Sequence, residues 1–361
     1  MHAWPRLMLF PYLVGWFLFN AGSVVPDASL ADPVAGKDDK QLSERSLRMN
    51  MLEDSLRIRM DEVRNFDEDM DLHPRSQSQQ ETRPTSSELR SIREHATVGD
   101  AQAQNLLGEL YSIGEQVPQD ADQARDWFEK ASAQKYAKAQ YNLGLQYTDD
   151  TDGYVTSHDY TRAQELWEQA ARQGYTRAAS ALGWLYSGIR AGAPPDYSKA
   201  REWYEKAAAQ GDGYAQTRLG LMYEHGQSVP QDFAQARAWY EKAAAQGNAR
   251  AMMYLGLQEA LGLLSSPDLA KARRWFEAAA AERDPMAQIF LADLYAKDSG
   301  IVPEDVVRAY MWYSLAAGQT AKDKYGAKYY RDSLARKMTP AQIAEAQQLS
   351  KQCQARQFKG C

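Results

Sequence analysis

The chain has 361 residues, 44% of them hydrophobic and 25% charged, a composition that fits a soluble protein of one large or several modest domains. A formal net charge of -6 and the absence of any arginine- or lysine-rich run speak against a nucleic-acid binder. Two cysteines, Cys353 and Cys361, lie in the last nine residues without a histidine or carboxylate pair nearby, so they read as one small disulfide loop rather than a metal or redox pair.

The chain opens with Arg6 and then an apolar run from Leu7 to Phe19, followed by small residues. That is the layout of a secretory signal peptide over residues 1–23, with cleavage after Ala31 as the alternative. The run is too short for a helix that spans a bilayer, which needs about 20 apolar residues, so the mature chain is expected to have no transmembrane span, with a retained anchor as the weaker reading. Periplasmic or secreted localisation follows. Residues 38–66 place Met49, Leu52, Leu56, Met60 and Val63 at helical spacing and pair Glu44 with Arg48 and Glu53 with Arg57, which predicts a charged amphipathic helix. It either rests on the remainder of the chain or supports self-association, although Arg45 and Arg59 interrupt a coiled-coil seam. Residues 67–86 are polar and poor in apolar side chains, the composition of a disordered tether.

From residue 100 to 318 the chain repeats itself. The pair Leu-Gly recurs at Leu107, Leu143, Leu182, Leu219 and Leu255 and ends as Leu291-Ala292, and a tryptophan follows each, at Trp127, Trp167, Trp203, Trp239, Trp275 and Trp312. The nonapeptide WYEKAAAQG appears twice, at Trp203–Gly211 and Trp239–Gly247. Within one copy, Ala215, Leu219, Met222 and Tyr223 form one helical stripe and Ala236, Trp239, Tyr240 and Ala243 a second. Between them Gly226 is placed to end the first helix, and Asp232 with Gln235 to form a capping box for the next. Each unit is thus a helix hairpin that buries its faces only by stacking on its neighbours. The expectation is an all-α, α/α solenoid of six hairpins. Glycine of the Leu-Gly pair permits close helix approach, tryptophan fills the gap between layers, and the Glu and Lys of the nonapeptide stay in water.

Residues 87–99 match the second half of a unit, with Ile92, Ala96 and Gly99 in register, and read as an N-terminal cap. Residues 319–361 read as two capping helices, the second opened by Thr339, Pro340 and Gln342 and facing inward with Ile343, Ala346, Leu349 and Cys353.

The pattern A-x-x-x-LG-x-x-Y-x-x-G-x-x-V-P-x-D-x-x-x-A-x-x-WYEKAA-x-QG resembles the Sel-one-like repeat, a relative of the tetratricopeptide repeat, over about 220 residues. The resemblance implies a scaffold of the bacterial envelope or a secreted protein that holds a protein or peptide in a concave groove. By analogy with tetratricopeptide arrays, the groove takes first-helix positions that vary between copies: Asn105, Tyr141, Ser180, Thr217 and Met253, then Glu109 and Trp184, then Ser187 and Glu224. Leu145, Leu221 and Leu257 fall in the same rows but are expected to pack against the next unit. Tyr141 and Trp184 are the candidate aromatic contacts.

No catalytic, cofactor or metal site is expected. Ser132 and Lys135 match the Ser-x-x-Lys of penicillin-recognising enzymes, but the companion Ser-Asp-Asn and Lys-Thr-Gly elements are missing. The five histidines are scattered, and no phosphate loop occurs. The 148–159 loop approximates a calcium loop, with Thr148 in the first ligand position and Asp159 in the last, both departures from the pattern. Alternatives to a non-enzymatic scaffold are a cell-wall factor, whether a weak penicillin-binding enzyme or a wall-binding subunit, and an exported effector that binds a host protein.

Overall fold

The computed structural model describes residues 84–148, 159–188, 193–296, 305–319, 323 and 325–361. The signal segment, the amphipathic stretch 38–66, nearly all of the tether and the interior of the 148–159 loop lie outside them. Among the described residues fifteen helices follow one another: α1 (Ser86–Thr97), α2 (Ala101–Ile113), α3 (Ala121–Ala133), α4 (Ala137–Gln146), α5 (Tyr160–Arg172), α6 (Thr176–Ser187), α7 (Tyr197–Ala209), α8 (Gly213–His225), α9 (Phe233–Ala244), α10 (Ala249–Leu261), α11 (Leu269–Ala281), α12 (Pro285–Ala296), α13 (Val306–Ala317), α14 (Ala327–Ala335) and α15 (Pro340–Ala355). From α2 to α13 they pair as six hairpins, and the second helix of each also packs on the first helix of the next. This is an α/α solenoid.

Aspartate sets each hairpin. Asp120, Asp159, Asp196, Asp232, Asp268 and Asp305 cap the second helices, each accepting a hydrogen bond from the backbone N–H three residues on. The same residue's own N–H donates back to the first helix, Asp196 to the Tyr186 carbonyl at 2.8 Å and Asp232 to the Tyr223 carbonyl at 2.9 Å. One residue therefore closes the loop and starts the next helix. At Asp232 the side chain accepts from the N–H groups of Ala234 and Gln235, but the structure records no bond returned by the Gln235 side chain, so the expected capping box is a simple cap. Full boxes form at Thr85 with Glu88 and at Thr339 with Gln342.

The layer between the helices of a hairpin differs from expectation. The side chain that faces each Leu-Gly glycine is the ring after the tryptophan: a Cβ at Gly108 would lie 2.6 Å from Phe128, and one at Gly256 would lie 2.5 Å from Phe276. Tyr204 and Tyr240 stand over Gly183 and Gly220 in the same way. Glycine here makes room for a ring, not for a helix backbone. The tryptophans of repeats one, three, four and five, Trp127, Trp203, Trp239 and Trp275, are only half-buried. Lysine three residues on lies over the indole in three of them, Lys130, Lys206 and Lys242, at 3.9–4.0 Å from the ring centroid. So the lysine of the nonapeptide packs on its tryptophan with its charge still in water. Repeat two is shifted by one: Leu166 takes the tryptophan position and Trp167 the ring position over Gly144, fully buried.

The ends differ from each other. α1 lies on α2 as a second helix would, with Ala96 buried and Gly99 at φ 102°. At the other end the first of the two expected capping helices is the short α14, and both α14 and α15 pack on α13. The last helix thus folds back onto the final repeat. Cys353 and Cys361 form a disulfide whose loop buries Phe358 beside the terminal core.

Candidate functional site

Where the nine groove candidates lie depends on how each repeat packs. Asn105, Tyr141, Ser180, Thr217 and Met253 are all buried, and so are Trp184 and Glu224. Glu109 and Ser187 keep partial access to solvent. Leu145, Leu221 and Leu257 are buried too, in line with their expected packing role.

Asn105 and Glu109 come together across the junction of repeats one and two. The Asn105 amide donates to Glu109 Oε1 at 3.0 Å, and Asn142 of α4 donates to Asn105 Oδ1 at 2.9 Å and to Glu109 Oε1 at 2.8 Å. Lys138 completes the group, 2.9 Å from Glu109 Oε1. Burial works against the Lys138 ammonium, but the Glu109 carboxylate outweighs it and raises Lys138 above the usual lysine range. The result is a half-buried, ion-paired cluster on adjacent first helices.

Tyr141 and Trp184 belong to the core of repeats two and three. Tyr141 accepts the Trp167 indole N–H on its carbonyl at 3.1 Å and packs its ring 5.3 Å from Tyr175. Burial pushes its phenol well above the usual tyrosine range. Trp184 meets Trp167 edge-on at 6.2 Å. Thr217 turns its hydroxyl to the Gly213 carbonyl at 2.8 Å. Met253 has no exposed surface, and the Ser180 hydroxyl has no hydrogen-bond partner among the described residues.

Ser187 and Glu224 serve the rings opposite them. Ser187 Oγ lies 3.4 Å from the Tyr204 hydroxyl, and the Tyr240 hydroxyl donates to Glu224 Oε2 at 3.1 Å. In repeat six the Tyr313 hydroxyl donates to Asp293. In repeat five the ring is Phe276 and the position corresponding to Glu224 is Ala260. The partner is particular to each copy and not to one position: repeat one has Ser112 there with the ring Phe128, and repeat six has Ala296 there, its phenol turning to Asp293 two residues after Leu291.

A glutamine clamp joins the layers and was not foreseen from the sequence. Gln104, Gln140, Gln216 and Gln288 are buried on first helices. Each accepts from the glutamine that ends its own hairpin, Gln134, Gln173, Gln246 and Gln319, at 2.7–2.8 Å. Three donate in turn to the preceding second helix, at the carbonyls of Ala96, Ala208 and Ala280. The signal was present: glutamine recurs three residues before the leucine and again where the second helix of a hairpin ends.

Of the chemical alternatives, Ser132 and Lys135 belong to a helix-terminating turn. Lys135 sits at φ 63° and its N–H donates to the Ser132 carbonyl at 2.8 Å. At the calcium-like loop, the Thr148 hydroxyl donates to the Leu145 carbonyl and Asp159 caps α5, while the positions between lie outside the described residues. Among the described residues no helix is long and apolar enough to cross a membrane.

Comparison with known proteins agrees with this architecture. The family model of the Sel1 repeat matches six times, at residues 101–136, 137–175, 176–212, 213–248, 249–284 and 285–320. A Sel1 repeat protein from Oxalobacter formigenes is 30% identical with a TM-score of 0.54, the match covering 64% of this chain and all of that one. The protective antigen c5321 of uropathogenic Escherichia coli, which displays the same fold, is 29% identical with a TM-score of 0.42, over 74% of this chain and 64% of its own. The immunity protein Pa5087 of Pseudomonas aeruginosa is similar at 18% identity and a TM-score of 0.36, over 68% of this chain and 76% of its own. No curated protein matches the chain. Six matched repeats over more than half of its length, each a capped helix hairpin stacked on the next, place the chain in the Sel1 repeat family.

Proposed function

We propose that this protein is a non-enzymatic scaffold of the bacterial envelope or a secreted one, which holds a protein or peptide partner against the first helices of its repeats. The observation that carries the reading is the solenoid itself, a helical scaffold of the kind typical of protein–protein interaction, built from six Sel1 repeats. The signal-peptide layout of residues 1–23 and the Cys353–Cys361 disulfide support an oxidising compartment.

The partner-facing surface centres on Glu109, with Asn105, Lys138 and Asn142 holding it, and extends toward Ser187. The buried candidates Tyr141, Ser180, Trp184, Thr217, Glu224 and Met253 set the spacing of that surface by packing. Affinity capture from an envelope extract tests the proposal. The wild type should enrich one or a few proteins that a Glu109→Ala/Lys138→Ala/Asn142→Ala variant does not retain, with the variant's helical content unchanged. Equal recovery by both proteins would place the binding surface elsewhere, and no enrichment by either would remove the scaffold reading.

A further inference from the structure

The charge of this acidic chain is unevenly placed. Residues 320–361 carry nine lysines and arginines against three carboxylates, Asp323, Asp332 and Glu345. Within the repeats, most cations on the second helices have nearby partners: Lys199 with Asp196, Arg201 with Glu205, Lys271 with Asp268 and Arg308 with Asp305, while Lys130, Lys206 and Lys242 lie over tryptophans. The C-terminal cap does otherwise. Arg331 pairs with Asp332, but Lys328, Arg336, Lys337, Lys351, Arg356 and Lys359 are exposed and none pairs with a described carboxylate. Tyr329 stands among them, 68% exposed, on the short helix α14. Unneutralised like charges on one small cap cost stability, so their concentration calls for an anionic partner.

The same chain holds a stretch of matching chemistry. Between Asp61 and Asp71 it carries six carboxylates, Asp61, Glu62, Asp67, Glu68, Asp69 and Asp71, against the single Arg64, with Phe66 and Met70 interleaved. Eleven residues reach at most roughly 36 Å, more than the length of about 24 Å of the 16-residue helix α15, which Lys337 precedes and Arg356 follows, so one such stretch can meet cations at both ends of that helix. The acidic stretch precedes the first repeat and the basic cap follows the sixth, so a second copy can offer its stretch to the cap without the two ends of one chain having to meet. We propose that the basic C-terminal cap docks the acidic stretch 61–71 of a second copy, joining molecules head to tail through complementary charge, with Phe66 against Tyr329.

The test uses the full chain in two charge-reversed forms. One carries Lys328→Glu, Arg336→Glu and Lys337→Glu; the other carries Asp67→Lys, Glu68→Lys and Asp69→Lys. Sedimentation velocity at low salt should show wild type associating, with the association lost when salt is raised until charges are screened over a few ångströms. Each reversed form alone should remain monomeric. Mixed in equal amounts, they should associate again, because one retains the acidic stretch and the other the basic cap. Thermal melting of each form verifies that the repeats stay folded, and the mixture supplies its own control, since two misfolded proteins would not regain a stoichiometric complex. A wild type that is monomeric at low salt, or a mixture that stays monomeric, overturns the proposal. So does binding of wild type to phosphatidylglycerol vesicles that is lost in the cap-reversed form while self-association persists, which would assign the cap to a membrane surface.

Discussion

Lys135 occupies the left-handed position that Gly174, Gly211 and Gly247 hold in sister repeats, at φ 63°. A side chain there costs roughly 1–2 kcal/mol, partly offset by the greater freedom that glycine loses on folding. Lys135→Gly should therefore raise stability by about 0.5–1 kcal/mol, read as a higher thermal midpoint, and a lowered midpoint would show that the strain is compensated elsewhere. Arg283 holds the same position at φ 66° but also stacks on Phe358 at 5.1 Å, so Arg283→Gly should gain nothing. The aspartate caps make a second prediction at this scale. The Asp196 and Asp268 carboxyls lie below the usual range, chiefly because the backbone N–H groups of Lys199 and Lys271 bond to the ionised form. A depressed carboxyl adds stability above its unfolded pKa of about 3.9, and that stability is lost as pH falls through the lower folded value. Asp268→Asn caps without ionising, so its thermal midpoint relative to wild type should improve between pH 5 and pH 2; an unchanged difference would mean the cap carboxylate does not titrate in folding.

At the level of the hairpin, the exchange between ring and partner can be tested by transplanting one repeat's solution into another. Tyr240→Phe removes the hydroxyl that donates to Glu224 and leaves a carboxylate, 2% exposed, with one donor fewer. The expected cost is about 1–3 kcal/mol. Adding Glu224→Ala installs the Phe and Ala that repeat five uses as Phe276 and Ala260, and the double variant should recover part of the loss in thermal melting. A double variant no better than the single would detach Glu224 from the ring. The same pair shows what the sequence could and could not reveal. Helix period, the recurring Leu-Gly and the Asp caps are local signals, and they mark the hairpins and their stacking directly. Which face of a first helix stays wet is not local: positions 105, 141, 180, 217 and 253 vary between copies, yet all five are buried. They differ because each must fit a different neighbour, so copy-to-copy variation marks compensation in packing as readily as binding. The Trp167 shift arose likewise, since spacing by tryptophan alone cannot distinguish the ring position from the one before it. The glutamine clamp was readable in pattern but needed both ends of a hairpin in space to acquire a meaning.

Across the whole molecule, a solenoid has stability that is approximately a sum of repeats and interfaces, so its ends are held by fewer contacts than its middle. The two ends meet this differently. α1 offers α2 the face of a second helix, with Ala96 accepting from Gln104 at 3.1 Å, and turns the charged and polar residues Glu88, Arg90, Arg93 and Glu94 to solvent. The C-terminal end folds α15 back on α13 and ties its last turn through Cys353 and Cys361, eight residues apart, so that Phe358 stays against Arg283 at the end of repeat five. Closing so short a loop is worth roughly 2–3 kcal/mol by chain entropy. In a repeat array that amount acts locally. Cys353→Ser/Cys361→Ser should therefore speed hydrogen exchange in α15 and in the last turn of α13, while protection of α2 to α10 remains within error of wild type, because each interface passes its stability only to its neighbour. Reduction of the wild type should reproduce the same pattern. Exchange that rises uniformly from α2 to α13 would instead show that the array unfolds as one cooperative unit, and that the cap governs all six repeats.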